Sequence, residues 1–302
     1  MADRGPIARF CVRQFLYPLQ AILIGSVFYT VRALPLSVGT AITSLLFRKV
    51  GPRMRVARVA EENVRRVFPN LNDTEVDELL DRIWDNLGRG AAEFTQLDRF
   101  TYNEPGARVE LVGEEHIAAI QASGKAGIVF SAHLANWELG ARVLSLAGLH
   151  LGFIYRGADN PYIDRIFRNA RRTTNTTLIP KGRKGAAQML RLMHQGVHFG
   201  AMMDQKLNEG VALPFFGHDA MTATAPVDIT LRTGGAIVPV RCIRLPGSKF
   251  RIEVLPPLEF ERSDDRKADT LKVLGQINGI LEDWIREYPE QWFWLHRRWP
   301  KE

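Results

Sequence analysis

Cysteine is nearly absent from this sequence, which contains only Cys11 and Cys242. Two distant cysteines predict neither a disulfide framework nor a cysteine-based metal site, and such a chain suits a reducing compartment. His194, His198 and His218 lack partners at metal-ligand spacing. Internal repeats and low-complexity segments are also missing, and 46% of the 302 residues are hydrophobic, which is enough for a sizeable core. We therefore expect a folded chain that needs no metal and no other cofactor.

Charged residues are scarce near the N-terminus. Residues 15–31 contain no Asp, Glu, Lys, Arg or His, and a second apolar stretch follows at residues 33–47. The first stretch approaches the lower length limit for crossing a bilayer, about 17 residues. Basic residues flank the stretches on both sides, namely Arg4, Arg9 and Arg13 before them and Arg48, Lys49, Arg53, Arg55 and Arg58 after them.

This pattern predicts that residues 1–48 form a membrane anchor or interfacial segment. The alternatives are an internal core helix or an interfacial hairpin. A secretory signal fits less well, because no small-residue cleavage site follows the first apolar stretch. The heavier basic cluster after the stretches predicts that the rest of the chain lies on the cytoplasmic side of the membrane.

The chain has an excess of positive charge, with a net charge of +7. Such a charge attracts polyanions, which include nucleic acid, anionic lipid headgroups and acidic proteins. The basic residues are scattered and no nucleic-acid-binding motif accompanies them, so we expect no nucleic-acid partner.

Helical and strand patterns alternate from residue 113 onward, after helices predicted at residues 50–68 and 72–86. Apolar runs typical of buried strands are separated by amphipathic segments, which predicts an α/β fold with a mainly parallel sheet flanked by helices. The predicted strands are residues 126–130, 149–155, 177–179, 197–203, 236–244 and 250–255. The predicted helices are residues 114–122, 137–147, 162–172, 185–194 and 265–286.

A histidine and a glutamate mark the turn between the strand at 126–130 and the helix that follows it. His133 lies in the turn, Asn136 can cap the helix, and Glu138 falls in its first turn. The spacing predicts that Glu138 holds one imidazole nitrogen and leaves the other free to accept a proton from a hydroxyl. We also expect the helix N-terminus to disfavour the imidazolium form and keep the base neutral.

Four ordered blocks of sequence resemble the late acyltransferases of lipid A biosynthesis. This bacterial family lies within the glycerolipid acyltransferase group defined by His-x-x-x-x-Asp/Glu. The matching blocks are His133 to Gly140, Tyr155 to Pro161, Met203 to Gln205 with Pro214 to Gly217 and Thr222 to Pro226, and Tyr288 to Trp299. The likeness extends from roughly residue 10 to the end of the chain.

The resemblance implies a glycerolipid-acyltransferase-like domain at residues 49–302. It also implies transfer of an acyl chain from an acyl carrier protein thioester to a hydroxyl of a lipid A precursor, at the bacterial inner membrane. His133 would be the general base and Glu138 would support the imidazolium. The partners would be acyl carrier protein or acyl-coenzyme A as donor, a glycolipid acceptor, and membrane lipid.

Three further residues are candidates for substrate binding. Arg156 and Asp204 each follow a predicted strand, and ligands collect at the carboxyl ends of parallel strands. Arg156 could bind a phosphate on either substrate, and Asp204 could orient Arg156 or the acceptor sugar. Asn136 could donate to a carbonyl oxygen as charge builds on it. Structural roles also remain open, namely an ion pair at a strand end for Arg156, a loop cap for Asp204 and a helix cap for Asn136.

Two other functions remain open. One is an acyl-coenzyme A-dependent acyltransferase that acts on another glycolipid, such as a phosphatidylinositol mannoside. The other is a non-catalytic, membrane-bound lipid-binding protein in which the His133 and Glu138 pair is structural.

Overall fold

A computed structural model describes residues 12–173 and 175–300 of the chain. Cys11 and the flanking residues Arg4 and Arg9 lie outside these residues. The first described element is a π-helical turn, Val12–Leu16, which continues into helix α1, Tyr17–Ala33. Helix α2, Leu36–Val50, follows after a break at Pro35. The residue before a proline disfavours helical geometry, which explains the extended backbone at Leu34.

One face of α1 packs on the body of the protein and the opposite face is open. Tyr17, Gly25 and Phe28 are buried. The continuous helical segment Val12–Ala33 is long and apolar enough to cross a membrane, and only 17% of its most apolar stretch is buried. This exposure argues against an internal core helix. Large apolar side chains also point outward from both helices, including Leu19, Ile22, Leu23, Val27, Ile42, Leu45 and Leu46.

Helices α3, Ala57–Val67, and α4, Asp73–Phe94, follow, and α4 packs along α2. Asn72 and Glu75 close the start of α4 as a reciprocal capping box. The helix extends to Phe94 instead of ending near residue 86, because apolar and small residues continue along its packed face. A Cβ atom on Gly88 would lie 2.6 Å from the Cα of Ser44, so only glycine permits this close approach of α4 to α2.

A seven-stranded sheet forms the centre of the molecule, and six of its strands are predicted from the sequence. Its strands are β1 Val109–Val112, β2 Ile128–Ser131, β3 Leu151–Tyr155, β4 Thr176–Pro180, β5 His198–Met202, β8 Ile237–Leu245 and β9 Lys249–Val254, in the spatial order β1-β9-β8-β2-β5-β3-β4. All neighbouring pairs are parallel except β8 and β9, which form an antiparallel hairpin. Strands β6 Val211–Phe215 and β7 His218–Thr222 form a separate antiparallel pair.

Helices cover both faces of the sheet. They are α5 Glu114–Ala122, α6 Glu138–Leu146, α7 Pro161–Ala170, α8 Arg183–His194, α9 Ala225–Thr233 and α10 Arg266–Glu287. Central strand β2 shows the layering, because Ile128 and Phe130 belong to one apolar core while Val129 belongs to the core on the opposite face. The α/β fold with a mainly parallel sheet is therefore confirmed.

Some short elements were not predicted from the sequence. Strand β1 has only four residues, and the β6–β7 pair contains Pro214, a residue that is uncommon inside strands. Helix α9 begins with Ala225 and Pro226 inside one of the motif blocks and was not recognised as a helix.

Candidate active site

The register of β2 and β5 brings two separated side chains together. Ser131 is paired with Met202, so His133 and Asp204 each lie two residues beyond paired ends of adjacent parallel strands. His133 Nδ1 lies 2.8 Å from Asp204 Oδ1, and the His133 backbone N–H donates to Asp204 Oδ2 at 3.0 Å. The carboxylate that holds the imidazole is therefore Asp204.

Asp204 is itself fixed in place by the C-terminal segment. Its side chain is buried, and Oδ2 also accepts a hydrogen bond of 2.8 Å from Trp292 Nε1. Burial alone would raise the pKa of this carboxyl, but the charge of His133 and the hydrogen bonds lower it to about 2. Asp204 is thus a carboxylate throughout the physiological range.

The same carboxylate determines the charge balance at His133. Burial disfavours the imidazolium, yet the charge and hydrogen bond of Asp204, together with the charge of Glu138, raise the pKa of His133 above its ordinary value. The net shift of the His133 pKa is therefore opposite to the shift expected from the helix N-terminus alone. A bond from Nδ1–H to Asp204 leaves Nε2 as the basic nitrogen, and its neighbour is the Gln205 amide nitrogen at 3.4 Å.

Glu138 is the first residue of α6, as the motif predicts, but it does not hold the imidazole ring. Both of its carboxylate oxygens accept hydrogen bonds from Arg171, at 2.6 to 3.0 Å. Its carboxylate therefore acts on His133 by charge across space, and the expected direct contact between Glu138 and a ring nitrogen is replaced by the contact with Asp204.

Asn136 is buried behind the turn. Its amide donates to Glu93 Oε2 at 3.2 Å, and Glu93 pairs with Arg244. The residue at the N-cap of α6 is Trp137, which makes no side-chain capping bond, so Asn136 is not the helix cap. Its neighbour Ala135 has a positive φ of 50°, a conformation that a small residue adopts at modest cost. The Asn136 amide thus contributes to the buried network that supports the turn.

Two cavities meet at this turn. A cavity of about 210 Å³ is lined by His133, and an apolar cleft of about 480 Å³ extends between α1, α2 and α4. Trp137, Glu138 and Arg171 line both. The cleft side includes Ile24, Val27, Phe28, Leu46, Phe47, Ala91 and Phe94. One bound molecule could therefore place its polar reacting group beside the imidazole and its aliphatic chain in the cleft.

The remaining predicted residue, Arg156, lies elsewhere. It follows β3 and is exposed. The arginine that pairs with Glu138 is Arg171. Asp204 accordingly contacts His133 and not Arg156. Arg171 and Trp292 were not recognised from the sequence as site residues. Their only sequence signal was position, since Arg171 follows the helix after Arg156 and Trp292 lies within the C-terminal motif.

Comparisons of the sequence with known proteins identify relatives of this chain. Residues 12–301 match the family model described as bacterial lipid A biosynthesis acyltransferase. The chain is 28% identical over 249 residues to a lipid A biosynthesis lauroyltransferase of Escherichia coli strain K12, covering 81% of this chain and 79% of that protein. It is 25% identical to a lipid A biosynthesis palmitoleoyltransferase of the same strain, covering 80% and 77% of the two chains. A lipid A biosynthesis acyltransferase 2 of Shigella flexneri is 23% identical, with 86% and 83% covered.

Proposed function

Since this chain belongs to the bacterial lipid A biosynthesis acyltransferases, we propose that it transfers an acyl chain from a thioester to a hydroxyl of a lipid A precursor. The donor in this proposal is an acyl carrier protein thioester. One observation supports the chemistry above the others: His133 Nδ1 is fastened to a buried carboxylate while the ring lines a cavity.

In the proposed reaction, His133 Nε2 removes the proton of the acceptor hydroxyl as its oxygen attacks the thioester carbonyl. The C–O bond forms, and negative charge collects on the former carbonyl oxygen. Collapse of this tetrahedral intermediate breaks the C–S bond, and the imidazolium returns its proton to the departing thiolate. The products are an ester and a free thiol.

Each charged group near the turn has a part in this sequence. Asp204 orients the ring and, with Glu138, offsets the positive charge that His133 gains. Arg171 holds Glu138 and supplies positive charge to the walls of both cavities. Asn136 is a positioning residue, because its amide is already bonded to Glu93. Arg156 stays a candidate for contact with a phosphate outside the reacting centre.

The apolar cleft would hold an acyl chain, and the outward faces of α1 and α2 would lie in the bilayer. An apolar wall leading to the imidazole lets a chain remain in an apolar environment while its polar end reacts. We place residues 1–48 at the inner membrane and residues 49–302, the acyltransferase domain, on the cytoplasmic side. Of the basic residues that follow the apolar stretches, Arg48 pairs with Asp81 and Arg58 with Glu62. Lys49, Arg53 and Arg55 are exposed and would face the lipid headgroups.

The test is acyl transfer by purified full-length protein in detergent micelles, with product mass as the readout. The wild type should add one acyl chain to the acceptor, and His133→Ala should abolish this while it retains the wild-type thermal unfolding curve. His218→Ala, which removes an exposed imidazole from β7, is the matched control and should keep full activity.

Two results would contradict the proposal. A folded His133→Ala protein that still forms product would indicate a non-catalytic role for the pair or a different base. Faster turnover with acyl-coenzyme A than with acyl carrier protein thioester in a direct donor competition would overturn the donor assignment.

Mass spectrometry of lipid A from cells lacking this protein should show the loss of one acyl chain.

A further inference from the structure

An arginine-lined recess adjoins the cavity that contains His133. It has a volume of about 690 Å³ and lies along α7 and the segment after it. Arg165 and Arg168 line it from α7, where they lie one turn apart, and Arg172 lines it from the segment after the helix. The recess borders the catalytic cavity, because Arg171, Thr173, Thr176 and Leu178 line both.

The three arginines are exposed and keep their charge available. In the ranges that the structure describes, none of the three is paired with an acidic side chain, unlike exposed arginines such as Arg286, which pairs with Glu282. The acidic residue in the recess wall, Asp164, already accepts hydrogen bonds from the Tyr155 hydroxyl at 2.7 Å and from the Ala158 N–H at 3.0 Å. The recess therefore has excess positive charge.

The chemistry of the lining identifies the group that would bind. Guanidinium groups that line one recess match the oxygens of a phosphate, to which arginine donates paired, charge-assisted hydrogen bonds. A recess of this volume lies within the range of small-molecule sites and exceeds the size of a phosphate alone. It can thus hold a phosphate together with the sugar or linker that carries it.

We propose that Arg165, Arg168 and Arg172 bind a phosphate group of one of the two substrates and so position that substrate for reaction at His133. The proposal rests on the proposed acyl transfer. Both substrate classes are acidic, so the source is either the phosphate on the linker of the thioester donor or a phosphate on the glycolipid acceptor. Arg171 would join the two regions, because it contacts Glu138 and lines the recess.

The test measures binding, so that it does not depend on turnover. The triple variant Arg165→Gln, Arg168→Gln, Arg172→Gln is compared with the wild-type full chain in detergent micelles. The probes are coenzyme A for the donor and a phosphorylated glucosamine disaccharide without acyl chains for the acceptor. Each probe is paired with its phosphate-free counterpart, pantetheine or the unphosphorylated disaccharide.

The triple variant should bind one phosphorylated probe about tenfold more weakly or worse, which is about 1.4 kcal/mol, and should bind both phosphate-free probes as the wild type does. The probe that loses affinity identifies the source of the phosphate. A control that removes the same formal charge elsewhere, Arg82→Gln with Arg191→Gln and Lys272→Gln, should leave all affinities unchanged. Equal binding of both phosphorylated probes to wild type and triple variant would overturn the proposal. A matching loss in the control would also overturn it, because general charge attraction would then suffice.

Kinetics separate this proposal from the proposed function. In the acyl-transfer assay, the triple variant should raise KM for the identified substrate about tenfold and leave kcat within about twofold. A wild type that binds the phosphorylated probe through these arginines but transfers no acyl chain would refute the transferase and leave the phosphate site standing. An active enzyme with unchanged KM in the triple variant would refute the phosphate site alone.

Discussion

Replacing Asp204 by asparagine is the sharpest test of the catalytic geometry. The substitution keeps the shape of the side chain but removes a charge whose oxygen lies 2.8 Å from His133 Nδ1. A hydrogen bond to a charged group contributes about 1.5–3 kcal/mol, which corresponds to roughly 10- to 150-fold in rate. The amide can also donate to Nδ1, which would place the proton on Nε2 and remove the base. We therefore expect Asp204→Asn to lower kcat/KM by about 10²–10⁴-fold.

The pH dependence gives a second, independent readout. In the wild type the pKa of His133 is raised, so the free base and the activity appear only as pH rises through a value above about 6.5. Without the charge of Asp204, burial lowers that pKa again, and the acid limb of the kcat/KM profile should move to lower pH.

The assay is initial-rate acyl transfer from about pH 5 to about pH 9, the range in which histidine titrates. Asp219→Asn, a change at an exposed aspartate of β7, is the control and should leave the profile unchanged. The reasoning is refuted if a folded Asp204→Asn enzyme keeps its rate within twofold and its acid limb in place.

Three further outcomes follow from other contacts. Arg171→Ala should lower kcat/KM at least tenfold. Arg171→Lys should lower it less, because lysine keeps the charge beside Glu138 but not the bidentate contact. An alanine variant as active as the lysine variant would contradict this prediction. Gly88→Ala should lower the free energy of unfolding by about 1–3 kcal/mol, because the added methyl group overpacks the contact between α4 and α2. Gly275→Ala has open space at its Cβ and should leave that free energy unchanged. Denaturant titration measures both. Ala91→Phe should shift donor preference toward shorter acyl chains by filling the cleft, and an unchanged preference would place the chain elsewhere.

Local sequence patterns were sufficient for the order of the larger elements. The apolar runs at β2, β3, β5 and β8 and the amphipathic segments between them predicted the layered α/β fold, because these patterns follow directly from the period of strands and helices. The alternating apolar pattern of β1 is only four residues long, and that of β6 is only five residues long and contains a proline. Patterns this short cannot be distinguished from those of loops.

The site was predicted in part for the same physical reason. The turn with His133 and Glu138 follows from local spacing, whereas the contact with Asp204 depends on the register of β2 against β5. The pairing of Glu138 with Arg171 likewise joins residues 33 positions apart, and the motif spacing contains no information about it. The direction of the pKa shift at His133 was mistaken because it depends on that register contact.

Residues 291–293 hold the catalytic turn in place from a distant part of the sequence. Trp292 donates a hydrogen bond to the buried carboxylate of Asp204. The Phe293 N–H donates to the His133 carbonyl at 3.0 Å, and the Ala135 N–H donates to the Gln291 carbonyl at 2.8 Å. All three residues follow α10 in the sequence. A protein truncated just after α10 would therefore keep every strand of the sheet but lose the groups that hold Asp204 and the His133 turn, and it should perform no turnover.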